Sequence, residues 1–142
     1  MSRNYYSELH LHITWHTKAS SPLITPDVEE MMFASLREKA ARLGKVYIHE
    51  LAFPTHVHVA LSIEPTVTPS EMIGELKGYS SHEVNRRLRA GRKLLQWQAG
   101  YGVVSFGTGD MEWVRAYVRK QKEHHGTGKV HQRLETITEL LG

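Results

Sequence analysis

Two stretches of the chain alternate strictly between apolar and polar residues, LHLHITWH at 9–16 and HVHVALSI at 56–63. A period of two is typical of a β-strand that buries one of its two faces. The alternation predicts an apolar face made of Leu9, Leu11, Ile13 and Trp15 in the first strand, and of Val57, Val59, Leu61 and Ile63 in the second. The opposite faces carry His10, His12, Thr14 and His16, and likewise His56, His58, Ala60 and Ser62.

The segments around these strands carry helix signals. Thr25 and Pro26 combine a capping residue with a proline at the first helical position, and Gly44 is placed to end this helix. Pro69 opens a second helix in the same way, running to about residue 88. The remaining pattern predicts strands at 45–53 and 101–106, a third helix at 111–125 and a short terminal helix at about 130–141.

The order βαββαβ, followed by an additional helix, indicates an α+β fold, the ferredoxin-like split βαβ sandwich. In this topology the first and third strands are neighbours at the centre of the sheet, and the first two helices cover one face. We therefore expect the histidines of both strands to share the other face, which is left open. We expect one domain over 1–142, with a core at about 8–107.

The composition narrows the chemistry that this domain can carry. Without cysteine the chain has no disulfide, thiol nucleophile or thiolate metal site, so any metal must be held by imidazole and oxygen ligands. Ten histidines in 142 residues are unusual, whereas a content of 40% hydrophobic and 23% charged residues is ordinary. The sequence shows neither an apolar run of about 20 residues nor a signal peptide, and we expect a cytoplasmic protein.

His56 and His58 are candidate metal ligands, because residues two apart on a strand project to the same side. The pair alone does not decide the matter. Histidines on the polar face of a strand are more often tolerated polar residues than ligands. His10 and His12 have the same spacing and an equal claim.

The predicted third helix carries two further candidates, Tyr117 and Gln121, which are four apart and therefore on one helical face. A tyrosine hydroxyl can attack a phosphodiester and form a covalent intermediate when a positive centre stabilises the phenolate. The amide oxygen of Gln121 can complete a site for Mg²⁺ or Mn²⁺. The alternative is that Tyr117 packs with Trp113 and Val114 and that Gln121 is solvated.

Taken together, these stretches resemble the single-tyrosine HUH transposases of the IS200 type and the related REP-associated tyrosine transposases. The element of two histidines around a hydrophobic residue is PTHVH at 54–58, and the nucleophile motif is YVRKQ at 117–121. HITWHTK at 12–18 and WQAGYGVVSF at 97–106 are similar to the family's first-strand and fourth-strand signatures. Thr55 is a departure, because family members often carry Asp there, and a carboxylate commonly orients a metal-bound imidazole.

The resemblance implies a four-stranded antiparallel sheet, a homodimer, and a DNA transposase that cleaves and rejoins single-stranded DNA with hairpin ends. It implies that His56, His58 and Gln121 hold a divalent metal, Mg²⁺ or Mn²⁺. Tyr117 would attack the phosphate and leave a 5′-phosphotyrosine and a free 3′-OH. In this family the tyrosine helix often docks against the histidines of the partner subunit. Our hypothesis is that residues 107–109 form the hinge that allows such docking.

Basic residues at the end of the second predicted helix and in the third fit a nucleic-acid substrate. Positive charge follows a phosphate backbone, and an aromatic residue such as Trp97 can stack on bases. The alternative is a solvated basic face. The candidate DNA-binding residues are Arg86, Arg87, Arg89, Arg92, Lys93, Arg119 and Lys120.

Two rival functions remain to be weighed. A phosphoesterase with two His-x-Thr/Ser motifs is disfavoured, because HIT at 12–14 matches but HVA at 58–60 lacks the hydroxyl. The second rival is a catalytically silent, domesticated protein that binds a nucleic-acid hairpin. Formation of a metal-dependent covalent adduct with DNA separates this rival from a transposase.

Overall fold

The computed structural model describes residues 5–88 and 92–120, with the backbone alone for 46–48 and 117–120. No helix in this part of the chain is long and apolar enough to cross a bilayer. The predicted end of the third helix, beyond residue 120, and the predicted terminal helix lie outside the described residues. The elements are β1 (Leu9–His16), α1 (Pro26–Arg42), β2 (Val46–Phe53), β3 (His56–Ile63), α2 (Pro69–Leu88), β4 (Gly102–Phe106) and α3 (Met111–Lys120).

The four strands form one antiparallel sheet in the order β2-β3-β1-β4. β1 and β3 are the central neighbours, as predicted for a split βαβ fold, and the α+β class is confirmed. Their register pairs Leu11 with Leu61 and Thr14 with His58. Because directly paired residues share a side of the sheet, the apolar positions of both strands face one way and the histidines face the other.

Local signals begin and end α1 as expected. The Thr25 hydroxyl accepts a hydrogen bond from the backbone N–H of Val28 at 3.4 Å, and Pro26 occupies the first helical position. Gly44 has a φ of +70°, in the left-handed region where a Cβ causes strain. The chain therefore leaves α1 sharply and enters β2 two residues after this glycine.

The main core lies between the sheet and the pair α1 and α2. We call this side of the sheet the apolar face; its residues 11, 13, 15, 57, 59 and 61 are all buried. Both helices contribute a stripe that contacts it, and the two helices also contact each other. Side chains that the core buries completely include Ile13, Trp15, Met32, Leu36, Val57, Val59, Leu61, Ile73 and Leu76.

The opposite side, here called the histidine face, is formed by residues 10, 12, 14 and 16 of β1 and 56, 58, 60 and 62 of β3. The expectation that this face is open is wrong, because α3 lies across it. Val114 of α3 packs against Ala60 and Phe106, with Met111 and Trp113 beside them. Four of the five histidines on this face, those at positions 10, 12, 16 and 58, are buried.

Candidate active site

His56 and His58 project from β3 onto the histidine face, where they lie opposite His16 and Thr14 of β1. Their ring centroids are 5.1 Å apart, with the ring planes at 77°. Phe53, at the end of β2, stacks on His56 at 4.8 Å. The structure therefore brings the two predicted ligands side by side at one end of the sheet centre.

The ring of His58 is held by two residues of the neighbouring strand. Its Nδ1 lies 3.0 Å from Nε2 of His12 and 3.1 Å from the hydroxyl of Thr14. All three side chains are at most 1% exposed, so these contacts are made away from water. Because His12 and Thr14 come from β1, the position of His58 depends on the β1–β3 register.

The ring of His56 is held by the residue that precedes it and by β1. The Thr55 hydroxyl lies 3.0 Å from its Nδ1, and the ring of His16 stacks on it at 4.9 Å with an interplanar angle of 17°. An aspartate at position 55 would be expected to orient Nδ1 of His56. Thr55 has no carboxylate, but its hydroxyl still gives Nδ1 of His56 a polar partner. Within the described residues, neither ring nitrogen of His16 has a hydrogen-bond partner.

Burial favours the neutral form of three of these imidazoles. It lowers the pKa of His12 to about 3 and also lowers the pKa of His16. The pKa of His58 lies well below its ordinary value, first because of burial and then because His12, His56 and His16 surround it. Since a metal binds the neutral imidazole, His58 needs no proton loss at neutral pH to act as a ligand.

The donor set of this pair fits a divalent ion. Two neutral imidazoles suit Mn²⁺, and they suit Mg²⁺ when oxygen atoms of an amide, a phosphate and water complete the coordination. The described part of the chain contains no group of three His, Cys, Asp or Glu side chains that can hold a metal. The predicted third ligand, Gln121, lies outside the described residues, and the described part of the site therefore contains two of the three predicted ligands, His56 and His58.

Helix α3 approaches this pair from the far end of the sheet. The turn before it, Thr108–Asp110, is held by the hydroxyl of Thr108, which accepts a hydrogen bond from Nε2 of His10 at 2.8 Å. Val114 then packs against Ala60. Ala60 lies two residues after His58 on β3 and on the same face of the sheet. Position 117, three residues beyond Val114, continues along this line, although the Tyr117 side chain lies outside the described residues.

The predicted DNA-binding residues whose side chains the structure describes do not gather around the histidine pair. Arg86 and Arg87 lie at the end of α2, on the opposite side of the sheet, and each pairs with Glu83 at 2.9 Å. Hydrogen bonds and positive charge from these two arginines, with Arg86 as the larger contributor, hold the pKa of the Glu83 carboxyl at about 2. Arg92 and Lys93 are exposed beyond the same helix. Arg89 lies outside the described residues, as do the side chains of Arg119 and Lys120.

His12 and Thr14 are the site residues that reasoning from the sequence did not find. The alternation placed both on the face of the histidine pair, but His12 seemed equivalent to His10 because the two have the same spacing. In the structure they differ: His12 contacts His58, whereas His10 contacts Ser62 at 2.6 Å and Thr108. Only the pairing between strands separates them.

Comparisons with known proteins are consistent with this arrangement. The model of a family described as "Transposase IS200 like" matches residues 5–121. A protein from Deinococcus radiodurans R1, provisionally assigned as a transposase, has a similar structure, with a TM-score of 0.67 and 22% identity over 85% of this chain and 96% of that one. A REP-associated tyrosine transposase bound to a REP hairpin matches with a TM-score of 0.62 and 18% identity, over 89% of this chain and 74% of that one. At these identities the structures show a shared fold, and no curated protein matches the chain in sequence.

Proposed function

Because the chain belongs to the IS200-like transposase family, whose members process DNA, we propose that it cleaves and rejoins single-stranded DNA through a covalent tyrosine intermediate. Tyr117 is the nucleophile. His56, His58 and Gln121 hold a divalent cation, Mg²⁺ or Mn²⁺. The whole chain acts as one transposase domain in the cytoplasm, where it works as a homodimer.

The observation that supports this proposal most strongly is the state of the histidine pair. The two imidazoles lie side by side on the face that α3 covers, and each has its Nδ1 in contact with a polar neighbour. Tolerated polar residues on a wet strand face would not need such contacts. A pair in which both rings are held by polar neighbours, and in which His58 is buried, is typical of ligands that must point in one direction.

In the proposed reaction the Tyr117 oxygen attacks the phosphorus of a phosphodiester, and the bond from phosphorus to the 3′ oxygen breaks. The phenol loses its proton to water, and the leaving 3′ oxygen gains one, so a 5′-phosphotyrosine and a 3′-OH result. A bound divalent cation would stabilise the charge that develops on the phosphate oxygens. Attack by another 3′-OH reverses the step and rejoins the DNA, because one phosphodiester has replaced another.

The path of α3 supports action within one subunit. In the family the tyrosine helix often reaches the partner, but here α3 packs on the sheet of its own chain, through Val114 on Ala60. Leu51, the cross-strand partner of His58 on β2, packs against the same small cluster as Val114. We therefore propose that Tyr117 serves the histidine pair of its own chain.

The substrate that we propose is single-stranded DNA with a hairpin end. A structural relative is bound to a REP hairpin, and the basic residues provide charge that can follow a backbone. Arg92 and Lys93, exposed beyond α2, are better placed for this role than Arg86 and Arg87, since the latter two already pair with Glu83 and Arg87 also pairs with Glu38.

The test is the formation of a covalent adduct. The protein is incubated with single-stranded DNA from the sequence that flanks its own coding region, with Mn²⁺ or with EDTA, and adducts are resolved under denaturing conditions and mapped by mass spectrometry. We expect an adduct at Tyr117 that requires the metal and that disappears in Tyr117→Phe. Tyr6→Phe, at an exposed tyrosine in the N-terminal segment, is the matched control and should behave as the wild type.

Two outcomes would overturn the proposal. An adduct or cleavage product that persists in Tyr117→Phe contradicts the nucleophile. Tight binding of a hairpin without any adduct, under every metal condition, supports the alternative of a catalytically silent hairpin-binding protein.

A further inference from the structure

The contacts of His58 allow a further residue to be assigned to this site. We propose that His12, assisted by Thr14, is a positioning residue for His58: it accepts a hydrogen bond from Nδ1–H of His58 and so directs the lone pair on Nε2 of His58 toward the metal. This inference rests on the proposed function, because it assumes that His58 is a metal ligand. It assigns to His12 a role that its sequence spacing does not indicate.

The geometry identifies the nitrogen that is held. Nε2 of His12 at 3.0 Å and the hydroxyl of Thr14 at 3.1 Å approach the same atom, Nδ1 of His58. Thr14 is the direct cross-strand partner of His58, and His12 is the next residue on the same face of β1. Two adjacent side chains of one strand therefore converge on one ring nitrogen of the other strand.

The chemistry of imidazole makes this contact decisive. A neutral imidazole has one N–H and one lone pair, so the hydrogen bond made by one nitrogen selects the state of the other. If Nδ1 of His58 carries the hydrogen, the lone pair of Nε2 is available to a metal. If Nε2 carries it, the ring cannot bind a metal through that nitrogen. An acceptor at Nδ1 selects the first state, as carboxylates and carbonyls do for other metal-binding histidines.

Burial makes the contact necessary as well as possible. His12, Thr14 and His58 are all buried. If the N–H group of His58 had no acceptor among these side chains, no water molecule could accept its hydrogen bond instead. The centroids of the two imidazoles are 5.2 Å apart with the ring planes at 53°, so they meet through nitrogen and are not stacked. His16, by comparison, is stacked on His56 and holds it through its ring face.

The first experiment reads the tautomer directly, without metal. Long-range ¹⁵N–¹H correlation spectra of the ¹⁵N-labelled protein report which nitrogen of each histidine carries the hydrogen, and the His58 signals are assigned by their loss in His58→Ala. We expect the Nδ1–H form in the wild type. We expect the same form in His12→Gln, whose side-chain oxygen can replace Nε2, and a shift toward Nε2–H in His12→Phe.

The second experiment measures metal binding. Mn²⁺ is titrated into the full-length protein and followed by electron paramagnetic resonance, and the Mn²⁺ concentration for half-maximal adduct formation is measured in parallel. We expect His12→Phe to lower the affinity for Mn²⁺ by about ten-fold or more. We expect His12→Gln to keep most of the wild-type affinity. In His12→Phe, excess Mn²⁺ should restore adduct formation, which a purely structural defect would not allow. His82→Phe, the same change at an exposed position of α2, should leave Mn²⁺ binding unchanged.

The outcomes separate the two proposals. If His58→Ala leaves Mn²⁺ binding unchanged, the metal assignment in the proposed function fails. If His58→Ala abolishes binding but His12→Phe changes neither the tautomer nor the Mn²⁺ affinity, only the role of His12 fails. A wild-type His58 in the Nε2–H form also overturns that role, whatever the folding of the variants.

Discussion

The apolar face and the histidine face of the same sheet are covered in different ways. On the apolar face, two long helices contribute side chains that are completely buried, among them Met32, Leu36, Ile73 and Leu76. On the histidine face, the side chains of α3 described up to residue 116 include one that is fully buried, Val114, and the start of α3 is tied to the sheet through the hydroxyl of Thr108. The first face is therefore held mainly by close packing, which tolerates little change, and the second mainly by directed hydrogen bonds between a few polar groups.

This difference suits the proposed reaction, in which a tyrosine must reach a phosphate. A face that is stabilised by packing gives a rigid support for the two central strands and so fixes the spacing of His56 and His58. The histidine face is covered by one helix that is held at a few identifiable points, so a substrate can reach the reactive groups on this face. Three measurements can test the comparison.

The largest effect is expected on the apolar face. Leu61 is completely buried there, whereas Leu9, on the neighbouring strand and the same face, is 41% exposed. Leu61→Ala should lower the free energy of unfolding by about 2–5 kcal/mol, because it removes buried surface and leaves a cavity. Leu9→Ala should lower it by well under half as much. Urea unfolding of the two variants measures both values, and equal losses would contradict the assignment of this face as the rigid one.

The histidine face should make stability depend on pH. Burial lowers the pKa of His12 from 6.5 to about 3, so the unfolded chain binds a proton below about pH 6.5 that the folded chain does not bind. The contribution is therefore complete above pH 6.5 and is lost as the pH falls toward 3. Through His12 alone, about 2 kcal/mol should be lost between pH 7 and pH 5, since one pH unit corresponds to about 1.4 kcal/mol.

Urea unfolding at pH 7 and pH 5 measures this loss. The glutamine of His12→Gln does not titrate in this range. This variant should therefore lose less free energy of unfolding between pH 7 and pH 5 than the wild type, by the amount that His12 contributes. His82→Gln, at an exposed position of α2, should not reduce it. If the wild type and His12→Gln lose the same free energy between these pH values, the neutral burial of His12 is contradicted.

The smallest effect is expected at the start of α3. The Thr108 hydroxyl donates a hydrogen bond to the Glu8 carboxylate and accepts one from Nε2 of His10, while the Ser62 hydroxyl donates to Nδ1 of His10. Thr108→Val breaks both contacts of Thr108 and should cost about 1 kcal/mol, since the group is exposed on one side. Hydrogen exchange should increase in α3 more than in α1. Thr66→Val, at an exposed loop, is the control. Uniform acceleration across both helices would show that Thr108 stabilises the whole fold instead of anchoring α3.

Much of the fold was readable from local patterns. β1 and β3 have the predicted bounds, because strict alternation reports which residues a half-buried strand must turn inward. Pro26, Pro69 and Gly44 marked helix ends through backbone constraints that act within a few residues. The path of α3 was not readable, because its apolar positions show that it packs but not on which surface.

The candidate site divides in the same way. The spacing of His56 and His58 showed that both project to one side, and the motif at 117–121 connected them to a nucleophile, which stays a prediction until Tyr117 is tested. The difference between His10 and His12 was invisible, since both have the same neighbours in sequence. The pairing of Arg86 and Arg87 with Glu83 was also missed, although a separation of three and four residues on a helix favours such pairs.

The sequence by itself determined the strands, the helix ends, the split βαβ order and the side of the sheet on which the histidines lie, because these follow from backbone constraints and from a period of two. Only the tertiary structure decided that this side is buried under α3 and that His12 and Thr14 contact His58. Such contacts depend on the register between β1 and β3 and on the packing of a helix against them. These relations join residues more than 40 positions apart, and no local pattern encodes them.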